Sequence, residues 1–339
     1  MEPERTRRES APLSLRYRDA VPRAVLVVPG ALRRLSGGNR YDREVVGALR
    51  RAGWAVDLVA PGEASGSPDL VIQDSLAFRH GAHGSKAPVL ALAHQVPGEV
   101  EGGSASHAER AALSSAAAVV AVSEWLAATI RALTDAPVQV IPPGRDGAWA
   151  SNGPEEDADL VLCVGNAVPG KGLPEAIEAF LAAGVPDGRL VVAGDLTWDE
   201  GEAERVWAAA DAAPDRVEVA GRLSAEQLAV RYRRSRLLLT ASMYEGWPIA
   251  VAEAMASGLP VAGFDVPGVR ELVRPVDGLL APAGDLAALA GAVSRLWSER
   301  DLARRLGASA RKRALAWPTW EETGRRFVAV AESVAGRST

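Results

Sequence analysis

Short runs of apolar, β-branched residues bounded by glycine or proline recur along the 339-residue chain, and stretches with a helical spacing of apolar positions separate them. Such alternation is the pattern of parallel βα units, whose strands are covered on both faces and so read as continuous apolar runs. In the first half strands are expected at 24–29 (AVLVVP), 55–60 (AVDLVA), 69–73 (DLVIQ), 88–94 (PVLALAH), 117–123 (AAVVAVS) and 138–142 (VQVIP). Segment 142–159, PPGRDGAWASNGPEEDAD, concentrates proline, glycine and acidic residues without periodicity, as linkers between domains do, and sets a boundary near residue 150. The alternation then resumes with strands expected at 160–165, 189–195, 217–221, 236–242 and 260–264. The last stretch, GRRFVAVAESVAG at 324–336, has a helical period and is expected to dock back on the first domain. The predicted fold is therefore α/β, with two Rossmann-like, doubly wound domains facing across a cleft. They occupy residues 1–150 and 151–323, with a closing helix in 324–339. Open parallel sheets bind ligands beyond the carboxyl ends of their strands, so the loops that follow strands carry the candidate chemistry.

Composition narrows the partners. The chain has 38 basic and 43 acidic residues, a net charge of −5, and a pI near 5.6. No global positive field exists to hold a nucleic acid backbone, and nucleic acid is not an expected partner. The single cysteine, Cys163, lies in an apolar run, which leaves no disulfide framework or thiolate metal cluster and fits a reducing, cytoplasmic setting. No apolar stretch approaches the roughly 18 residues of a membrane span. The start, MEPERTRRES, is charged and lacks the apolar core of a signal peptide. Secretion and membrane spanning are not expected; peripheral contact with the inner membrane face stays open. Of the 38 basic residues only Lys86, Lys171 and Lys312 are lysines, which draws attention to Lys171.

Segment 165–172, GNAVPGKG, nearly spells the phosphate-binding P-loop, but Gly172 stands where that loop needs the hydroxyl that ligates magnesium. A glycine-rich loop between strand and helix still offers backbone amides, a helix N-terminus and the Lys171 charge to a diphosphate; an ordinary βα turn is the simpler reading. In SMYEGWPIAVAEAMASGLPV at 242–261, Glu245 falls in a loop, Pro248 suits a first helical turn, and Glu253 lies within the helix. Glu245 alone is explained by the helix dipole, but Glu253 is set among alanines, Val251 and Met255, surroundings of a buried helix.

These segments, with VAGD, VEVAGRLSAEQLAVRYRRS and DGLLAPAGD, resemble the nucleotide-sugar domain of retaining GT-B glycosyltransferases of family 4. In the first half SGGNRYDREVVGALRRAGWAVDLVAP, LALAHQ, VAVSEW and IPPGRD resemble, more loosely, the same family's glycine loop, histidine-bearing strand and last strands. The resemblance implies a metal-independent hexosyltransferase that takes a nucleoside-diphosphate sugar as co-substrate and a carbohydrate, lipid or natural-product hydroxyl as acceptor. It implies that Glu253 holds the ribose, that Glu245 with the Gly246 and Trp247 backbone holds the donor sugar, and that Lys171 binds the diphosphate. Gly37 and Gly38 would approach phosphate or acceptor, and His94 would face the transferred sugar. His94, Lys171 and Glu245 are thus the candidate catalytic residues. Asn166 stands where the family commonly has arginine, a second cation that Arg40 or Arg222 would have to supply. Arg222 and Leu223 are expected near the base, and Arg40 and Asn39, in the arginine-rich loop, near the acceptor. A histidine closing an apolar strand is otherwise a hydrogen-bonded core residue, and His80, His83 and His107 carry no expected role. A nucleotide-sugar epimerase or hydrolase, a nucleotide-binding module without turnover, and a P-loop NTPase are the competing readings.

Overall fold

The computed structural model describes residues 21–30, 32, 34, 36–63, 66–81, 83–84, 86–146, 154–155 and 158–337. The boundary expected near residue 150 lies outside the described residues. Two six-stranded parallel sheets account for the alternation. The first contains β1 (Arg23–Val27), β2 (Ala55–Val59), β3 (Leu70–Asp74), β4 (Val89–Ala93), β5 (Ala118–Ala121) and β6 (Val138–Val140), in the order β2-β1-β3-β4-β5-β6. The second contains β7 (Leu160–Val164), β8 (Arg189–Ala193), β9 (Val217–Gly221), β10 (Ser235–Thr240), β11 (Val261–Phe264) and β12 (Gly278–Ala281), in the order β12-β11-β10-β7-β8-β9.

Helices α1 (Gly37–Arg51), α2 (Pro97–Gly102), α3 (His107–Ser115) and α4 (Glu124–Arg131) belong to the first domain, with a 3-10 turn at Ser75–His80. Helices α5 (Leu173–Ala182), α6 (Glu200–Asp211), α7 (Ala225–Arg234), α8 (Ile249–Ala256), α9 (Pro267–Leu272), α10 (Leu286–Ser298) and α11 (Arg300–Ala314) belong to the second. The final helix, α12 (Trp320–Val334), crosses back and buries Phe327, Val330 and Ala331 in the first domain's core with Tyr41, Val45 and Leu49 of α1. Its apolar stripe recurs at helical spacing, and fully burying one such side chain contributes about 1.5–3 kcal/mol. Cys163 is buried in β7, and burial pushes its thiol up to about 12. No helix among the described residues is long and apolar enough to cross a membrane.

Two differences from the sequence reading bear on the site. Strand β12 was not expected; it is four residues long at the edge of the sheet, with two of them only half-buried. Several predicted strands also overrun their carboxyl ends: His94, Val122, Gly165, Asp195, Ala241 and Ser242 lie beyond the ladders. Val122, Asp195, Ala241 and Ser242 are buried there, and His94 and Gly165 half-buried, without pairing in a sheet. In both sheets the order of strands reverses there, between β1 and β3 in one and between β7 and β10 in the other, where α/β sheets open a crevice for ligands.

Candidate functional site between the domains

One wall is made by the loops after β7 and β10. They are stitched together: Met243 N donates to Gly170 O (2.8 Å) and Ser242 Oγ to Lys171 O (3.3 Å). Gly172 has a left-handed φ of +66°, and a β-carbon there would lie 2.1 Å from Ala241 O. The position that a P-loop fills with serine or threonine is therefore closed to both, which counts against the P-loop NTPase reading. Helices α5 and α8, which follow these loops, start without a side-chain cap, whereas Ser36 caps α1 and Ser123 caps α4. The first amides of an uncapped helix have no intrahelical partner, and with the dipole they favour an anion. Pro248 occupies the cap position of α8 rather than its first turn.

The acidic and basic side chains that the sequence singles out meet on this wall. Lys171 Nζ donates to Glu245 Oε1 at 2.6 Å. Glu253, on α8, is buried: its Oε1 accepts from Arg40 Nη1 (2.7 Å) and its Oε2 from Tyr232 Oη (3.1 Å). Burial holds the Glu253 carboxyl above its ordinary range despite the opposing pull of Arg40 and Tyr232. Arg40 reaches Glu253 from α1 across the cleft, pairs with Asp146, and lies 5.1 Å from the Trp320 ring centre. Its guanidinium thus sits at the expected ribose carboxylate, and Asn39 beside it is occupied with Arg34 O (2.9 Å) and Ser36 Oγ (3.0 Å). Asn166 Oδ1 accepts from Asp195 N (3.0 Å), tying the loops after β7 and β8 together where the resemblance leads one to expect a cation. Arg222 is exposed and Leu223 half-buried after β9. Asp195 is held below its ordinary range because hydrogen bonds from Thr197 and the charges of Arg222 and Arg34 outweigh its burial.

The other wall belongs to the first domain. A β-carbon on Gly37 would touch Ile249 of α8 at 3.3 Å, and one on Gly38 the His94 ring at 3.2 Å. Gly246 backs onto the His94 carbonyl so closely that a β-carbon would lie 1.8 Å from its oxygen. Trp125 Nε1 donates to Gly246 O (3.1 Å). Glu271 of α9 accepts from the backbone amides of Glu124 (2.9 Å) and Trp125 (3.0 Å) at the start of α4. The Trp247 ring stacks edge-on with Trp317, centres 5.6 Å apart. Gly37, Gly38, His94, Glu245, Gly246, Trp247, Ile249 and Glu253 are therefore brought to one interdomain seam. An open cavity of about 810 Å³ lined by Gln73, His80, His83 and Lys86 shares none of these residues.

Sequence reading missed Asp42 and Asp74. His94 Nε2 lies 2.9 Å from Asp42 Oδ1 and 3.3 Å from Asp74 Oδ2, with both carboxylates buried. The signals were faint: Asp42 stands four residues after Gly38, on the same helix face, and Asp74 closes a strand that is otherwise apolar except for Gln73. Burial, with the neighbouring Asp42 charge, raises Asp74 to about 7. His94 is raised as well: burial works against its charge, but the Asp42 charge and hydrogen bond, with Asp74, outweigh it. The donor atoms of the three groups lie within 4.8 Å of one another, a spacing that a cation could also bridge. His94 Nε2 and Asp42 Oδ1 are at hydrogen-bond distance, and Asp74 Oδ2 stands just beyond it as an ion-pair neighbour.

Comparison with known proteins places the fold. Residues 148–313 match the family model described as Glycosyl transferases group 1. An MMP alpha-(1->4)-mannosyltransferase of Mycolicibacterium hassiacum is 34% identical over 127 residues, covering 36% of this chain and 30% of that protein. A GDP-mannose-dependent alpha-mannosyltransferase of Mycolicibacterium smegmatis is 38% identical over 119 residues, covering 34% of this chain and 31% of that protein. The matches span about three-tenths of the length of these two curated relatives. Over nearly the whole chain the fold is that of solved structures. Sucrose-phosphate synthase from Thermosynechococcus elongatus gives a TM-score of 0.79 at 24% identity, covering 94% of this chain and 100% of that one. Anabaena HepE in complex with UDP and glucose gives 0.76 at 16% identity, covering 91% and 99%. The two-domain architecture is GT-B.

Proposed function

We propose, from the group 1 glycosyl transferase match of its second domain, that this protein transfers a hexosyl group from a nucleoside-diphosphate sugar to an acceptor hydroxyl, with retention and without a metal ion, as family 4 enzymes do. The observation that carries the reading is the convergence of Lys171, Glu245, Glu253 and two uncapped helix starts on one interdomain seam. Each part has a task in such a transfer. Amides at the starts of α5 and α8 receive the diphosphate, and Lys171 exchanges Glu245 for a phosphate oxygen as charge develops there. Glu245, released, accepts from sugar hydroxyls, and Glu253 accepts from the ribose diol in place of Arg40 Nη1. The bond from the anomeric carbon to the phosphate oxygen breaks while one to the acceptor oxygen forms on the same face. The acceptor's proton passes to the departing phosphate. Glu245 is not assigned as a nucleophile, because its carboxylate, once released by Lys171, is taken up by the sugar hydroxyls. A glycosyl adduct trapped on Glu245 would overturn this.

The named donors of relatives and neighbours supply the first substrates to try: GDP-mannose, from the mannosyltransferase, and UDP-glucose, from the UDP and glucose of HepE. The acceptor reading stays broad: a carbohydrate, lipid or natural product, met in the cytoplasm or at the inner membrane face. The test is product analysis in EDTA with each donor, alone and over an acceptor panel. The expected result is a new glycoside only when acceptor is present, with the anomeric configuration of the donor. Epimerised or rapidly hydrolysed donor without acceptor contradicts transfer in favour of an epimerase or hydrolase.

A further inference from the structure

His94 is held from one side only. Its ring is flanked by Asp42 and Tyr41 from α1 and by Asp74 from β3, its amide donates to Ser75 Oγ (3.2 Å), and the Glu245–Gly246 loop of the second domain backs onto its carbonyl. Both carboxylates converge on one ring nitrogen, Nε2. The other, Nδ1, has no hydrogen-bond partner among the described residues. The side chain is 14% exposed, so the ring is neither sealed in the core nor loose in solvent. Asp42, the nearer carboxylate, accepts and cannot donate, so it keeps a proton on Nε2. Tyr41 contributes no charge: its hydroxyl donates to Ile141 O (2.9 Å), and burial raises its ionisation far above neutrality. Burial and the Asp42 charge push Asp74 toward its protonated form, which lessens the negative charge left beside the ring.

We propose that Asp42 and Asp74 are positioning residues that clamp His94 as an imidazolium, with Nε2–H given to Asp42 and Nδ1–H left as a fixed donor for the sugar of a bound nucleotide sugar. The role of that donor rests on the transferase reading; the clamp itself does not. Orientation is set by Asp42, the nearer carboxylate, and Asp74 faces the same nitrogen at 3.3 Å. The clamp also accounts for the buried acid on α1, which a mere packing surface would not need.

The experiment is ¹⁵N NMR of the histidine side chains in the full chain, where four histidines keep the spectrum simple and H94Q identifies the resonance. Without nucleotide, both His94 nitrogens are expected to read as protonated at pH 7. D42N, nearly isosteric and still able to accept from Nε2–H, is expected to lower the His94 midpoint by about one pH unit or more, and D74N by less. A His94 that is neutral at pH 7, that carries its proton on Nδ1 alone, or whose midpoint is unmoved in D42N overturns the clamp. So does displacement of the Nε2 proton by magnesium or zinc, which would make the trio a cation site. GDP-mannose or UDP-glucose, whichever stabilises the protein, is expected to shift the Nδ1–H resonance where the bare nucleoside diphosphate does not; equal shifts overturn the sugar-facing role. A clamp that behaves as described in a protein stabilised by no nucleotide supports the clamp and contradicts the transferase reading.

Discussion

Lys171→Ala is expected to lower kcat about 10²- to 10³-fold while weakening nucleoside diphosphate binding by less than about tenfold. Lys171 Nζ is paired with Glu245 Oε1 at 2.6 Å, so its charge is already compensated. A ground-state diphosphate gains only the difference between two ion pairs when it takes the lysine over. As the anomeric bond breaks, negative charge accumulates on the phosphate and that difference grows, so the loss falls on kcat rather than on affinity. Steady-state kinetics and a nucleotide titration on one preparation check it. Equal losses in kcat and affinity would reduce Lys171 to a binding residue, and an unchanged kcat would remove it from the reaction.

Gly246→Ala is expected to lower kcat/KM by about 10²-fold or more while each domain stays folded, since misplacing reacting groups by about 1 Å costs on that order. The new β-carbon would lie 1.8 Å from the His94 carbonyl oxygen. Both partners are backbone, one from each domain, and neither can swing aside as a flexible side chain could. The seam must open, which costs the bond from Trp125 Nε1 to Gly246 O and moves Glu245 away from His94. Because the clash lies between domains rather than within either core, the melting temperature should change little while small-angle scattering reports a larger radius. Wild-type activity in this variant would show that the working state does not use the seam.

Much of this was legible in the chain, for identifiable reasons. Lys171 and Glu245 lie in the loops that follow β7 and β10, and Glu253 in the helix after the second of them, so local sequence places all three near the carboxyl ends of the second sheet. The doubling of the fold was legible for the same reason, since each βα unit carries its own pattern of burial. What was hidden is non-local. Arg40 is one of many arginines in a polar helix start, and only the approach of α1 to α8 shows that it binds Glu253 and Asp146. Asp42 sits in a helix segment, RYDREVV, whose charges suggest solvent, yet it is 1% exposed because the first domain's wall folds over it. The departure from the P-loop at Gly172 and the asparagine at 166, where the resemblance leads one to expect arginine, also acquire causes. Gly172 is required by its left-handed backbone and by Ala241, and Asn166 bonds the Asp195 amide, which an arginine at that position could not do as an acceptor.

The most direct test of the central claim, that the seam is a metal-independent nucleoside diphosphate site, is thermal stability with UDP, GDP, ADP, dTDP and ATP, each in EDTA and in magnesium. A ligand at 100 times its dissociation constant adds about 2.7 kcal/mol, a shift well within reach of the method. One nucleoside diphosphate is predicted to raise the melting temperature equally with and without magnesium, and to lose that effect in Glu253→Gln. Stabilisation that requires magnesium, or that persists undiminished in Glu253→Gln, would contradict the account.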